Sequence, residues 1–259
     1  STLYISGGST SQTYEEQLEV GASNITITVG TSSPYNGTVI IRGQPDKYVG
    51  ILISSKDYVT IDGQSGGDGQ RHTEMTAGCS SCMDNAISIT GTSKGAVIKY
   101  VYIHDASPLT ASSYQGIAFT LTNSTYAVDH EVSYCYITNN VDGIHCGDTA
   151  GIKHTKYGGF KIHHNILSCY DDGITSDGGV DIYNNDFSRT GDGSIGHPDG
   201  IQIYGSYVRI YNNYFHGFNS ISGGNSVVYR EPAGGENMRV NEHKPSNFMV
   251  DHSLFWEPE

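Results

Sequence analysis

The chain has 259 residues, of which 33 are glycine, 19 are tyrosine and only 7 are proline, and this length allows one large domain with a substantial core. The net charge of −13 argues against a nucleic-acid partner, because phosphate binding relies on clusters of Lys and Arg. No apolar run approaches the roughly 20 residues that cross a bilayer, so the sequence predicts no membrane span. Glycine-rich turns and recurrent Val and Ile predict an all-β fold.

The first 37 residues are expected to form a lead-in and cap for this domain. The motif "EEQLEV", which begins at Glu15, fits a short amphipathic cap. Three acceptor sequences for N-glycosylation, at Asn24, Asn36 and Asn123, fit a secreted or cell-surface protein whose signal peptide has been removed.

Five cysteines cannot all pair within one chain, so at least one of them is free or bonded to another molecule. Cys79 and Cys82 have a spacing that also occurs in zinc sites, but no second close pair completes a set of four ligands. A local disulfide and two buried thiols both stay open for this pair. The other cysteines are Cys135, Cys146 and Cys169.

An internal repeat after residue 95 is the strongest structural signal. Its clearest copies are "VDIYNNDF" at Val180 and "VRIYNNYF" at Val208. In every copy the third and the eighth residues are apolar, which predicts an inward-facing stripe. The copies begin at Ala96, His130, Phe160, Val180, Val208 and Phe248.

A second repeat, "QGI" or "DGI", follows four of these segments. Its isoleucines are separated by 27, 30 and 27 residues, which is the period of a solenoid coil. The sequence therefore predicts a parallel β-helix of about seven to nine coils, with like positions stacked about 4.8 Å apart. We expect one domain over residues 1–259, with coils over 38–255 and a long loop at 233–247. The isoleucines are Ile117, Ile144, Ile174 and Ile201.

One asparagine column is predicted inside this solenoid. Asn165, Asn185 and Asn213 occupy the same position in three successive copies of the first repeat. Stacking brings their side-chain amides within hydrogen-bonding distance from coil to coil. We therefore expect a structural asparagine ladder rather than a catalytic group.

These motifs resemble those of the pectin-lyase-like superfamily of single-stranded, right-handed parallel β-helices. The resemblance is carried by the V-x-I-x-N-N-x-F segments, the D-G-I strands and the opening "STLYISGGSTSQTYEEQL". It covers most of the chain, from about Thr38 to Phe255. The resemblance is specific for the architecture but not for the activity, because this fold occurs in lyases, hydrolases, epimerases, tailspikes and adhesins.

Stacked D-G-I strands would place Asp142, Asp172 and Asp199 in one column, with Asp171 beside it and His197 two residues before Asp199. Carboxylates about 5 Å apart repel each other, so the column needs compensation. One carboxyl could keep its proton and act as a general acid. Alternatively, Ca²⁺ could bind the three stacked aspartates. In a purely structural role, the carboxylates would cap backbone N–H groups.

Within the superfamily, "VDGIHC", "YDDGIT" and "GHPDGI" are similar to the polygalacturonase pattern. The resemblance implies an inverting hydrolase in which one of Asp142, Asp171 and Asp172 protonates the glycosidic oxygen while the others activate water. Two departures weaken this assignment. Asp199 stands where the family's histidine would align, with His197 two places early, and no R-I-K segment follows.

The calcium-dependent pectate lyases of the superfamily use stacked aspartates differently. Their resemblance implies that Asp142, Asp172 and Asp199 hold Ca²⁺, which neutralises the uronate carboxylate of the substrate. Arg230 would then abstract the neighbouring proton. The hydrolase and the lyase hypotheses thus share the same aspartates.

Aromatic side chains beside carboxylates are typical of carbohydrate sites. Tyr170, Tyr204 and Tyr229 lie near the D-G-I strands and are the candidates for substrate binding. His145 joins them as a second-rank candidate, since it faces the groove if Ile144 points inward. The adjacent pair His163 and His164, in contrast, is expected to point to opposite faces of a strand and not to bind one ion.

The leading hypothesis is an exported carbohydrate-active protein that acts on an acidic polysaccharide as a lyase or a glycoside hydrolase. The alternative is a non-catalytic structural or adhesive β-helix, such as a filament subunit or a glycan-binding module. The shortness of the chain favours the alternative because few long loops can wall a cleft, whereas the insertion at 233–247 favours an enzyme. Unpaired strand edges at the two ends leave end-to-end self-association open.

Overall fold

A computed structural model gives the fold of the chain. It describes residues 1–43, 49–77, 84–105, 115–148, 157–189, 199–217, 228–230, 238–239, 248–251 and 254–255, and from residue 229 onward it describes the backbone only. Short parallel strands make up almost all of the regular structure. In the described ranges the only helical element is one 3₁₀ turn, Ser124–Tyr126.

The strands form three sheets of nine strands each. The first sheet comprises β1 (Thr2–Ile5), β4 (Ile25–Val29), β7 (Val59–Ser65), β10 (Val97–Lys99), β13 (His130–Ser133), β16 (Phe160–His163), β19 (Val180–Tyr183), β22 (Val208–Tyr211) and β26 (Phe248–Asp251). The second comprises β2 (Ser11–Tyr14), β5 (Thr38–Arg42), β8 (Thr73–Thr76), β11 (Val101–His104), β14 (Tyr136–Thr138), β17 (Ile166–Cys169), β20 (Asp186–Arg189), β23 (Tyr214–Phe215) and β27 (Leu254–Phe255). The third comprises β3 (Leu18–Glu19), β6 (Val49–Ser54), β9 (Asn85–Gly91), β12 (Gln115–Leu121), β15 (Asp142–Asp148), β18 (Ile174–Gly178), β21 (Ile201–Ser206), β24 (Val228–Arg230) and β25 (Met238–Arg239).

The chain visits the three sheets in turn, so each coil adds one parallel strand to each sheet. The expected all-β parallel solenoid is therefore confirmed. About six coils, from β4–β6 to β19–β21, have parallel partners on both sides in all three sheets. The expected number of seven to nine coils was therefore too high. The outermost strands lack a neighbour on one side, and β25 pairs antiparallel with β24.

Regular strands already begin at Thr2, inside the segment expected to be a lead-in and cap. Thr2 pairs in parallel with Thr26, and Leu18 pairs with Ile51. Glu15 and Glu16, from the "EEQLEV" motif, precede β3. The first 24 residues therefore contain one strand of each sheet, and their outer edges have no strand partner among the described residues.

The two apolar columns of the first repeat form the centre of the core. Ile98, Val132, Ile162 and Ile182 lie at the same register in successive strands of the first sheet and are all buried. The eighth residues of the copies are buried in the second sheet, at Ile103, Ile137, Leu167, Phe187 and Phe215. This stacking accounts for the strict apolar pattern, since a single coil cannot bury its own inward face.

A residue in the left-handed conformation separates the first sheet from the second in five successive coils. The φ angles of these residues lie between 54° and 57°, a region that non-glycine residues adopt mainly in turns. The side-chain alternation of an extended strand therefore stops at this corner. The residues are Tyr100, Tyr134, His164, Asn184 and Asn212.

The expected asparagine ladder lies directly after this corner and is confirmed. Nδ2 of Asn165 donates to Oδ1 of Asn185 at 3.0 Å, and Nδ2 of Asn185 donates to Oδ1 of Asn213 at 3.0 Å. The backbone N–H groups of Asn165 and Asn185 donate to the same two oxygens, also at 3.0 Å. Each amide thus links two coils through both its oxygen and its nitrogen.

Three cysteines are buried free thiols, namely Cys135, Cys146 and Cys169. Cys79 and Cys82 lie outside the described residues, so the two alternatives for this pair stay predictions. Within the described ranges no helix is long and apolar enough to cross a membrane.

Candidate functional site

The D-G-I motifs stack in the third sheet as expected. Ile144 pairs with Ile174, and Ile174 pairs with Ile201, in consecutive parallel strands. The aspartates that precede these isoleucines by two residues therefore follow one another along the axis. The column of Asp142, Asp172 and Asp199 is thereby confirmed as a feature of the fold.

The carboxyl groups of this column accept backbone hydrogen bonds from the next coil. The N–H of Asp172 donates to Oδ1 of Asp142 at 3.3 Å, and the N–H of Asp199 donates to Oδ1 of Asp172 at 3.1 Å. This is the capping arrangement that the sequence left open as the structural alternative. We call the set formed by Asp142, Asp172 and Asp199 the aspartate ladder.

The ladder continues upstream through two neutral residues that sequence reasoning missed. Oδ1 of Asn85 accepts the backbone N–H of Gln115 at 3.1 Å, and Nε2 of Gln115 donates to Oδ2 of Asp142 at 3.4 Å. The available signal was the motif "QGI" at Gln115, in which glutamine replaces the aspartate of "DGI". Asn85 lies one further coil away, 30 residues before Gln115.

Glycine follows each aspartate because the backbones of adjacent coils are in close contact. A Cβ atom at Gly143 would lie 2.4 Å from the carbonyl oxygen of Gly173, and one at Gly173 would lie 2.5 Å from that of Gly200. Real Cβ contacts are longer than these. The glycines of the D-G-I repeat are therefore required by packing, whatever the aspartates do.

All three aspartates of the ladder are buried. Their exposed fractions are 7% for Asp142, 6% for Asp172 and 2% for Asp199. Burial, and next the charge of Asp171, raise the pKa of Asp142 to about 7. Burial, followed by the charges of Asp142, Asp171 and Asp199, raises the pKa of Asp172 to about 9. Asp172 therefore keeps its proton at neutral pH.

Asp171 differs from its ladder neighbours in exposure. Its side chain is half-buried, and its backbone N–H donates to the carbonyl oxygen of Val141 at 2.8 Å. Its negative charge is one cause of the raised pKa values of both Asp142 and Asp172. The structure thus places one half-buried aspartate, whose Oδ1 atom is itself buried, beside two aspartates that are buried throughout.

His145 lies on the outer face of the third sheet, with a partner that the sequence analysis did not identify. Its Nδ1 is 2.8 Å from Oγ1 of Thr175, and burial lowers its pKa while the charge of Asp177 acts in the opposite direction. A Cβ at Gly147 would lie 2.4 Å from Nε2 of His145 and 2.7 Å from Oδ2 of Asp177. Both side chains therefore crowd the same glycine. Strand alternation from Ile174 would have placed Asp177 on this face.

The structure describes the side chains of two of the three candidate tyrosines. Tyr170 is half-buried directly before Asp171, and Tyr204 is 39% exposed on β21. The backbone of Tyr229 pairs with that of Gln202, but its side chain lies outside the described residues. The side chain of Arg230 and the whole of His197 also lie outside them, so their roles stay predictions.

The ladder residues fit calcium poorly as they stand. Oδ1 of Asp142 and Oδ1 of Asp172 already accept N–H groups, and Oδ2 of Asp142 accepts a side-chain amide. Calcium prefers several ionised or carbonyl oxygens that are free to converge. Among the described residues no group of three or more His, Cys, Asp or Glu side chains is arranged to hold a metal ion. The described ladder residues therefore do not fit a calcium ion.

The fold and the ladder define a parallel β-helix protein with a column of buried carboxyl groups. No family model matches the chain, and no curated protein matches it. Among solved structures, the chain is similar to the crystal structure of DFA-IIIase from Arthrobacter chlorophenolicus A6, with 13% sequence identity and a TM-score of 0.40. The alignment covers 97% of this chain and 83% of that one. A likeness this weak leaves the family within the β-helix class unassigned.

Proposed function

We propose that the protein is an exported carbohydrate-active enzyme that cleaves glycosidic bonds of an acidic polysaccharide by hydrolysis. The observation that carries the proposal is the pair of adjacent carboxyl groups, Asp171 and Asp172, with different environments. Burial holds the proton on Asp172, whereas Asp171 beside it is half-buried. Neighbouring carboxyls with divergent environments are the usual arrangement for acid and base catalysis at neutral pH.

In this proposal Asp172 is the general acid that protonates the glycosidic oxygen. Asp171 is the carboxylate that activates water, and Asp142 acts as a positioning residue whose charge helps to raise the pKa of Asp172. Tyr170 and Tyr204 would line the sugar-binding surface. The acidic nature of the substrate and the secreted location follow from the sequence resemblance and the glycosylation motifs alone.

A second function, a non-catalytic structural β-helix, is favoured by a specific observation. Oδ1 of Asp142 and Oδ1 of Asp172 already accept backbone N–H groups, and the three residues of the aspartate ladder are at most 7% exposed. A ladder with this role needs no substrate. The two functions differ in what happens when Asp172 loses its ability to donate a proton.

The test is an assay of reducing ends released from polygalacturonate, alginate and neutral glycans, with and without a chelator. We expect release without a rise in the absorbance of unsaturated sugar ends, and a loss of at least about 100-fold in rate for Asp172→Asn. The matched control is Asp186→Asn, on the second sheet beside His216, which should keep the wild-type rate. Absorbance from unsaturated ends that the chelator abolishes would establish the lyase instead. A folded wild-type protein that is inactive on the whole panel would favour the structural function.

A further inference from the structure

Two adjacent histidines meet at the corner between the first and second sheets. His163 ends β16, and His164 has a left-handed φ of 57°. The expectation that they point to opposite faces was wrong, because the left-handed residue interrupts the alternation of the strand. Their Nδ1 atoms lie only 2.9 Å apart.

The outer nitrogen of each ring has its own partner. Nε2 of His163 lies 3.4 Å from Oε1 of Glu131, which is fixed in turn by a 2.9 Å hydrogen bond from Oγ of Ser133. Nε2 of His164 lies 3.5 Å from Nδ2 of Asn184. A carboxylate partner of this kind orients His163 and increases its basicity towards a metal ion, whereas the Nδ2 of Asn184 is a donor to His164.

Aromatic neighbours hold both imidazole rings in place. Tyr183 stacks on His163 with ring centroids 4.7 Å apart, and Tyr134 stacks on His164 with centroids 5.0 Å apart. His164 is exposed and His163 is half-buried, so the space between the Nδ1 atoms can be reached from water. The pair is therefore both oriented and accessible.

We propose that His163 and His164 bind a divalent transition-metal ion through their Nδ1 atoms, with Cu²⁺ preferred over Zn²⁺ and water completing the coordination. The 2.9 Å between the two Nδ1 atoms is short enough for both to contact one ion at about 2.0 Å. Imidazole ligands bind Cu²⁺ more tightly than Zn²⁺ in the general order of affinity of the divalent metals. Glu131 supplies the carboxylate that holds the Nε2–H tautomer of His163.

Metal binding changes the tautomer of one of the two rings. The ion replaces the hydrogen bond between the two Nδ1 atoms. The proton of that bond moves to Nε2 of His164, where the oxygen of the Asn184 amide accepts it once the amide has flipped.

The test is a titration of the whole protein with Cu²⁺, in the presence of glycine as a weak competitor, followed by electron paramagnetic resonance and calorimetry. We expect one saturable site whose spectrum shows nitrogen coupling from two imidazoles, and weaker binding of Zn²⁺. His164→Ala and Glu131→Gln should each lower the affinity for Cu²⁺ at least about tenfold. The control His216→Ala removes an imidazole that pairs with Asp186 and should leave the site unchanged.

Circular dichroism of each variant checks that the fold is retained. A saturable Cu²⁺ site that survives in a folded His163→Ala/His164→Ala variant would overturn the proposal. A Zn²⁺ affinity equal to or above that for Cu²⁺ would overturn the preference for Cu²⁺. This site lies on the first sheet and does not depend on the function proposed for the third-sheet carboxyls.

Discussion

Two side-chain ladders run along the same solenoid with opposite chemistry. At the corner between the first and second sheets, asparagine amides link consecutive coils. At the start of the third sheet, carboxyl groups of Asp142 and Asp172 accept the backbone N–H of the following coil. Both ladders satisfy buried backbone donors, which would otherwise cost about 1–3 kcal/mol each.

The difference lies in what each side chain can donate. Nδ2 of Asn185 donates both to Oδ1 of Asn213 and to the carbonyl oxygen of Ile162, so the amide is satisfied without charge. An ionised carboxylate only accepts, and stacked carboxylates repel each other. Burial, and next the charges of neighbouring aspartates, raise the pKa values of Asp142 and Asp172, so the aspartate ladder retains protons. The neutral asparagine ladder is sufficient for a structural role, so the aspartate ladder is the better candidate for a catalytic role.

The largest expected effect comes from placing a carboxylate in the neutral ladder with Asn185→Asp. The substitution removes the donor to Ile162 and sets a carboxylate against Oδ1 of Asn213 at a site that is only 2% exposed. We expect a loss of about 3 kcal/mol in the free energy of unfolding at pH 7, measured by urea denaturation. The control is Asn184→Asp at the exposed neighbouring residue, and equal losses for the two variants would contradict the role of the ladder.

The sequence predicted the solenoid and both columns because these depend on periodicity alone. The apolar and asparagine columns, and the register of Ile144, Ile174 and Ile201, follow from stacking like positions. A carboxyl that keeps its proton was one of the three alternatives for this column, but its assignment to Asp172 could not be predicted, because it depends on how completely the side chain is buried. The meeting of His163 and His164 was missed because strand alternation was assumed to continue through a left-handed residue.

An intermediate effect is expected from removing one ionisable carboxyl from the aspartate ladder with Asp172→Asn. A carboxyl with a raised folded pKa stabilises the protein fully below its unfolded pKa of about 4, and this contribution is lost as the pH rises through about 9. The Asn variant has no such loss and still accepts the N–H of Asp199. We expect it to be about 1–2 kcal/mol more stable than the wild type at pH 9, with a shallower decline between pH 4 and pH 9.

Urea denaturation at several pH values measures this difference. Asp62→Asn is the control, because Asp62 pairs with Lys99 on the first sheet and this variant keeps the aspartate ladder intact, so the decline between pH 4 and pH 9 should persist. A wild-type slope retained in Asp172→Asn would show that the carboxyl of Asp172 ionises normally in the folded state. In that case raised pKa values would no longer distinguish the aspartate ladder from the asparagine ladder.

The smallest effect is expected from extending the neutral ladder by one coil with Cys135→Asn. Cys135 occupies the ladder position one coil before Asn165, and its backbone N–H already donates to Oδ1 of Asn165 at 2.9 Å. Its Sγ lies 3.8 Å from the carbonyl oxygen of Ile98 and accepts from the N–H of Val101. An asparagine at position 135 would therefore find a backbone N–H donor and a backbone carbonyl acceptor on the preceding coil. The side chain of Asn165 has an equivalent pair of partners.

We expect Cys135→Asn to change the free energy of unfolding by no more than about 1 kcal/mol, in the stabilising direction, since a new buried hydrogen bond contributes about that amount. Cys169→Asn is the matched control, because Cys169 is an equally buried thiol that lies beside Asp142 and Asp172 and outside the asparagine column. That variant buries an amide without ladder partners and should lose about 2 kcal/mol in thermal or urea unfolding. Equal losses in the free energy of unfolding of the two variants would mean that an asparagine at position 135 finds no hydrogen-bond partner other than Asn165. The asparagine ladder would then be limited to Asn165, Asn185 and Asn213.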